Sequence, residues 1–243
     1  MDRLQLDKNA KLTGRVYFKD EVMWLGLSGS GASFTFDGTK LVLNLKGDNI
    51  AVGENPIDYA RIAVYVDGKR VVNEIMDCAE KEVTVIDRTE NAQSVVEIIK
   101  LSESPMSAIG VEAFAEGSAE ALPEKPLKIE FIGDSITCGY GVDDEDENHQ
   151  FTTAEDVTKA YAYKTAKALD AEYSMFSASG YGIISGYTEG DEPISEQTIP
   201  QFYCSYGFSR GNFAGTAPQD IPWDFSKYIP QIIVINLGTN DDS

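Results

Sequence analysis

The sequence predicts two domains, an all-β sandwich followed by an α/β/α doubly wound parallel sheet. Three observations carry this. Apolar and polar residues alternate through about the first 118 of 243 residues. Pro123 and Pro126 then interrupt the pattern. Beyond them come apolar runs that each end abruptly in glycine and small polar residues. The predicted boundaries are a sandwich over 1–122, a stiff linker over 123–127 and a parallel sheet over 128–243.

Within the first region the alternating stretches are G-R-V-Y-F (14–18), A-S-F-T-F (32–36), K-L-V-L-N-L (40–45), A-R-I-A-V-Y-V (60–66), E-V-T-V-I (82–86) and S-V-V-E-I-I-K-L (94–101). β-branched residues dominate them and no 3.6-residue stripe persists, which favours strands over helices. Asp37-Gly38 and Asp67-Gly68 are hairpin-favouring pairs and predict turns.

After the linker, K-I-E-F-I-G-D-S-I-T-C-G-Y-G (128–141) reads as a strand that delivers Ser135 to its carboxyl end. Val157 to Leu169 reads as a helix with Tyr161, Ala162, Thr165, Ala168 and Leu169 on one face. A-E-Y-S-M-F-S-A-S-G-Y-G (171–182) is a second strand of the same kind. Q-I-I-V-I-N-L-G-T-N-D (231–241) is a third, apolar enough to be buried on both faces. Alternating β and α elements predict a parallel sheet with right-handed crossovers, and ligands bind such sheets at the carboxyl ends of the strands. A hydroxyl there makes Ser135 a candidate nucleophile, or else the cap of the following helix. Likewise, Gly180 and Gly182 could simply turn the chain, and Asn240-Asp241 could cap a loop.

Forty acidic against twenty basic residues give a formal charge of −20 and a pI near 4.3. That charge repels phosphate backbones and anionic lipid, so neither a nucleic acid nor a membrane partner is expected. No apolar run reaches the roughly 20 residues of a membrane-spanning helix. The start, M-D-R-L-Q-L-D-K-N-A-K-L, lacks the apolar core of a signal peptide. The expectation is a cytoplasmic protein, or a secreted one whose leader has been removed, and a homo-oligomer is compatible with either. Cys78, Cys138 and Cys204 show no paired spacing, which predicts reduced, mostly buried thiols and no zinc site. Asp143-Asp144-Glu145-Asp146-Glu147 lacks regular ligand spacing and reads as a solvated loop. No metal or other cofactor is predicted.

Gly133-Asp134-Ser135, Ser179-Gly180 and Gly238-Thr239-Asn240-Asp241 follow one another in the order and spacing of the first three blocks of the SGNH or GDSL hydrolases, which the second half resembles. With F-T-T-A-E-D-V-T-K-A-Y-A-Y (151–163), S-G-Y-G-I (179–183) and W-D-F (223–225) added, nearly the whole chain resembles carbohydrate esterase family 2. The resemblance implies an N-terminal jelly roll and removal of O-acetyl groups from plant polysaccharides such as xylan or glucomannan. It makes Ser135 the nucleophile of an acyl-enzyme mechanism. It also makes the Ser135 N–H, the Gly180 N–H and the Asn240 side-chain amide the oxyanion hole, where one donor is worth about 3 to 4 kcal/mol. Gly182 is the alternative to Gly180 if the block aligns two residues later. A side chain at Gly180 is expected to obstruct the approach of the backbone. Asp134 is expected to hydrogen-bond the loop that holds Ser135. Tyr181 and Trp223 are candidate sugar-stacking platforms, or else packing residues.

The family pattern continues into a D-x-x-H block whose histidine takes the serine proton. The single histidine here, His149, lies in D-E-N-H (146–149), a polar stretch where such a match arises easily by accident. The expectation is that the catalytic histidine lies on a missing C-terminal segment, which cleavage would leave as a separate fragment. Two alternatives stand beside the esterase: a carbohydrate-binding protein with an inert second half, and an SGNH lipase or thioesterase.

Overall fold

A computed structural model describes residues 1–144 and 154–242. Up to residue 121 the described chain is mostly β: β1 (Asp2–Leu4), β2 (Lys11–Thr13), β3 (Val16–Lys19), β4 (Val22–Leu25), β5 (Gly31–Gly47), β6 (Ala60–Val66), β7 (Lys69–Met76), β8 (Glu80–Lys100) and β9 (Ile109–Ala121). These strands pair antiparallel in the order β3-β4-β9-β5-β8-β6-β7, with β1 added to β9 and β2 to β5.

The stretches 32–36 and 40–45 are not two strands joined by a turn at Asp37-Gly38. They form one strand, β5, whose pairing with both β8 and β9 shifts between Gly38 and Lys40. The reason lies in the contact at Gly38, where a Cβ would sit 2.4 Å from the Glu116 carbonyl oxygen and 2.8 Å from Gly117 Cα. Two backbones meet there, and the glycine makes a bulge instead of a turn. The bulge also flips the alternation: Phe34 and Phe36 enter the core from even positions, Leu41, Leu43 and Leu45 from odd ones. Similarly, 82–86 and 94–100 both lie in β8. Asp67-Gly68 does turn a hairpin between β6 and β7, with φ of +51° and +76°.

The second sheet is parallel: β10 (Lys128–Gly133), β11 (Glu172–Ser177) and β12 (Ile232–Asn236), in the order β11-β10-β12. Its central strand is buried on both faces. Ile129 and Phe131 pack with Val157, Ala162 and Ala166, and also with Ile99 and Leu101 from the end of β8. Ile132 packs on the opposite face with Phe176, Ile199 and Phe208. Buried Arg15 joins the two sheets: its guanidinium donates to the Tyr203 and Ser205 carbonyls, pairs with Glu130 and lies 4.4 Å from the Phe176 ring centre. A guanidinium can be buried this way because its two Nη groups reach acceptors and its flat faces lie against aromatic rings, although Nε has no acceptor among the described residues.

Two further sequence expectations change. The predicted helix breaks into a single turn at Val157–Lys159 and a helix at Tyr161–Ala168. Extended backbone at Ala160 resets the phase, so Ala162 and Ala166 face inward while Thr165, Ala168 and Leu169 are exposed. β12 is not buried on both faces: Ile233 and Ile235 are 53% and 64% exposed. Among the described residues it has β10 on one side and no strand on the other.

Candidate active site

The carboxyl ends of the parallel strands bring the three sequence blocks to one rim. β10 runs into Gly133, Asp134 and then Ser135, which begins a one-turn helix, Ser135–Cys138. Glycine is required at 133, because a Cβ would lie 2.0 Å from Thr137 Oγ1. Asp134 is the helix cap: its Oδ1 accepts from the Ile136 N–H at 3.0 Å, fixing the turn that carries Ser135. Burial pushes the Asp134 carboxyl up from its usual range, against the pull of that N–H. Ser135 itself is half-buried.

From β11 the chain passes through Ala178 and Ser179 to Gly180. The Ala178 N–H donates to the Gly133 carbonyl, so the first two blocks are in direct contact. Gly180 has φ +78°, yet a Cβ there would meet nothing within 4 Å. The expected crowding is therefore absent, and the left-handed backbone is what calls for glycine. Crowding belongs to Gly182, where a Cβ would lie 2.1 Å from the Ser185 carbonyl oxygen. The Gly182 N–H already donates to the Gln197 carbonyl, which disfavours it as the alternative oxyanion donor.

Beyond β12, Asn240 is buried, and its side-chain Nδ2 donates to the Tyr181 carbonyl at 2.8 Å, which joins the third block to the second. Burial raises the Asp241 carboxyl, but the N–H groups of Ile184, Ile183 and Ser185 outweigh it and hold the group below its usual range. The 180s loop is thus held by two neighbouring side chains of the third block.

Tyr181 and Trp223 are not brought together. The Tyr181 ring is half-buried against Phe202 and Phe208, beside the blocks. Trp223 lies over Arg15 at 5.2 Å, and Arg15 pairs with Glu130 near the start of β10. Trp223 thus packs against a buried guanidinium, whose other contacts include the Phe176 ring of β11.

Three residues at the site carried no sequence signal: Glu103, Glu155 and, in its connecting role, Cys138. Their ligand-type atoms lie within 4.8 Å of one another, all buried. They already engage each other. Cys138 Sγ lies 3.5 Å from Glu103 Oε2 and 3.4 Å from Ser179 Oγ, and Glu155 Oε2 accepts from the Glu103 N–H at 2.7 Å. Burial, then the charges of Glu103 and Glu155, push the Cys138 thiol well above its usual range, so it is a proton donor and no nucleophile. Asp143 is not solvated as expected; it pairs with Arg61 and Lys159. His149 and residues 145–147 of the acidic loop lie outside the described residues.

Known proteins are similar to this chain over most of its length. Residues 12–126 match the family model described as carbohydrate esterase 2 N-terminal. The cellulase/esterase CelE of Acetivibrio thermocellus is 32% identical over 220 residues, which are 89% of this chain and 24% of that protein. An acetylxylan esterase / glucomannan deacetylase of Cellvibrio japonicus is 28% identical over 244 residues, 98% of this chain and 62% of that one. A family two carbohydrate esterase from Clostridium thermocellum, solved in complex with cellohexaose, superposes with a TM-score of 0.78 at 28% identity, over 96% of this chain and 67% of that one. The chain spans 62% or less of the length of these two curated relatives.

Proposed function

We propose, for a chain that resembles carbohydrate esterase family 2 and through it the SGNH or GDSL hydrolases, that it supplies the nucleophile and oxyanion donors of a serine esterase. The substrate is an O-acetylated plant polysaccharide or oligosaccharide, xylan or glucomannan, and the first domain is a jelly roll. Ser135 Oγ attacks the acetyl carbonyl carbon, the sugar oxygen leaves with a proton, and water then hydrolyses the acetyl-serine to acetate. The Ser135 N–H, the Gly180 N–H and the Asn240 amide stabilise the oxyanion. A single observation carries this reading: three separate chain segments end on adjacent parallel strands and are bonded to one another, Ala178 to Gly133 and Asn240 to Tyr181. Holding Asn240 Nδ2 on the Tyr181 carbonyl fixes the plane of that amide before substrate arrives. The role of proton acceptor belongs to a histidine in this mechanism, and the sequence printed holds one, His149.

The test is hydrolysis of p-nitrophenyl acetate against p-nitrophenyl octanoate. The expected result is preference for acetate, with Ser135→Ala slower by roughly 10⁴-fold or more. Equal release by wild type and Ser135→Ala removes the enzymatic reading, and preference for octanoate points to a lipase or thioesterase.

The cellohexaose held by a relative supports a second reading, in which this chain binds glucan without hydrolysing it. Calorimetric titration of Ser135→Ala with cellohexaose, beside the hydrolysis assay, separates the two. Binding without Ser135-dependent release supports the second.

A further inference from the structure

The chain leaving β8 pins Glu103 from both sides. Its N–H donates to Glu155 Oε2 at 2.7 Å, and its carbonyl accepts from Lys100 Nζ at 2.9 Å. Arg61 holds Glu155 in turn by donating to its carbonyl at 2.8 Å. From this anchor the Glu103 carboxylate reaches across the seam between the two sheets, where its Oε2 accepts from the Ser179 N–H. The same oxygen faces Cys138 Sγ, and that sulfur lies 3.5 Å from the Ser135 carbonyl oxygen. One carboxylate oxygen of the antiparallel domain is therefore tied to both the Ser135 turn and the residue before Gly180. On the far side, the Tyr187 N–H donates to the Gly180 carbonyl at 2.8 Å. Ser179 and Gly180 are thus clamped between Glu103 and Tyr187.

We propose that Glu103 is a positioning residue of the hydrolytic site, fixing the separation and direction of the Ser135 and Gly180 backbone N–H groups. The proposal rests on the reading of the preceding subsection and extends it to the antiparallel domain, which then contributes to the catalytic geometry. What Glu103 supplies is an acceptor at a fixed place. Among the described residues, the titratable groups Lys100, Cys138, Tyr140, Glu155 and Tyr181 face it. Burial, followed by the Glu103 charge, pushes Glu155 well above its usual range. The Ser179 N–H needs only an oxygen acceptor, so an amide oxygen should serve at position 103.

The test compares wild type, Glu103→Ala and Glu103→Gln on p-nitrophenyl acetate, with amide hydrogen exchange at residues 178–181. Oxyanion donors act on the transition state, so misplacing them lowers kcat and spares KM. Glu103→Ala should lose about 30- to 300-fold in kcat with KM within about 3-fold, and Glu103→Gln should stay within about 5-fold of wild type. The Ser179 amide of the wild type should exchange slowly, and faster by about 10-fold or more in Glu103→Ala. A folded Glu103→Ala with unchanged kcat overturns the proposal, as does Glu103→Gln failing equally. If Glu103→Ala does not fold, the wild-type exchange decides: a Ser179 amide exchanging like a free one overturns the clamp. Hydrolysis indifferent to Ser135→Ala sinks the esterase reading instead, and the exchange result still decides whether the clamp exists.

Discussion

At the residue scale, two glycines of the second block answer different constraints. Gly182 is required by space, since its Cβ would strike the Ser185 carbonyl and the Asp241 carboxylate. Gly180 is required by its backbone angle and, in the proposed mechanism, by the N–H it presents. The two alanine variants should cross over. Gly182→Ala should cost roughly 2 kcal/mol or more of stability through overpacking. Gly180→Ala should cost roughly 1 to 2 kcal/mol through left-handed strain. In kcat the order reverses, with Gly180→Ala the worse, because the Gly182 N–H is already held by Gln197. Urea unfolding and p-nitrophenyl acetate kinetics on both variants check this; Gly182→Ala losing more of both would contradict it.

At the scale of elements, sequence pattern located most strands and misplaced a turn for a definable reason. Asp-Gly reads identically at 37–38 and 67–68, but the first lies between two neighbouring strands and the second ends a sheet edge pair. Nothing local distinguishes them, because the deciding contact, Gly38 against Glu116 and Gly117, is remote in sequence. Substitution should reveal the difference. Gly68→Ala meets open space and should cost only the left-handed strain of φ +76°, roughly 1 to 2 kcal/mol as for Gly180. Gly38→Ala meets backbone and should cost roughly 2 kcal/mol or more, with the loss read in urea midpoints. Equal costs would mean that β5 is not continuous through the bulge. The helix was misphased for a related reason: Ala160 breaks it, and an alanine gives no warning of a break. The blocks around Ser135, Gly180 and Asn240 were legible because each ends a strand with small polar residues. Glu103 was not, since its importance comes from the docking of one sheet on another.

At the scale of the whole molecule, that docking buries charge in the seam. Lys100 is fully buried, and its Nζ is taken up by Ser102 and the Glu103 carbonyl. Burial pulls its pKa down to about 8, against the raising pull of Glu155 and Asp48. The unfolded chain therefore binds more protons than the folded one between about pH 8 and 10.5. Stability should rise with pH across that window, by up to about 1.4 kcal/mol per pH unit, while below it the penalty of the buried charge is complete. Lys100→Met should flatten this rise in denaturant titrations, whatever it does to stability at neutral pH. Parallel curves for the two proteins from pH 8 to 10 would show that Lys100 does not titrate in the seam.

If these segments form a hydrolytic site, Ser135 becomes acylated during turnover. Rapid acid quench of the protein during turnover of p-nitrophenyl acetate, followed by peptide mass mapping, observes that step directly. A single acetyl group is expected on Ser135 within residues 128–141, absent from Ser135→Ala. Product release with the acetyl group elsewhere, or with the same labelling in Ser135→Ala, would contradict it.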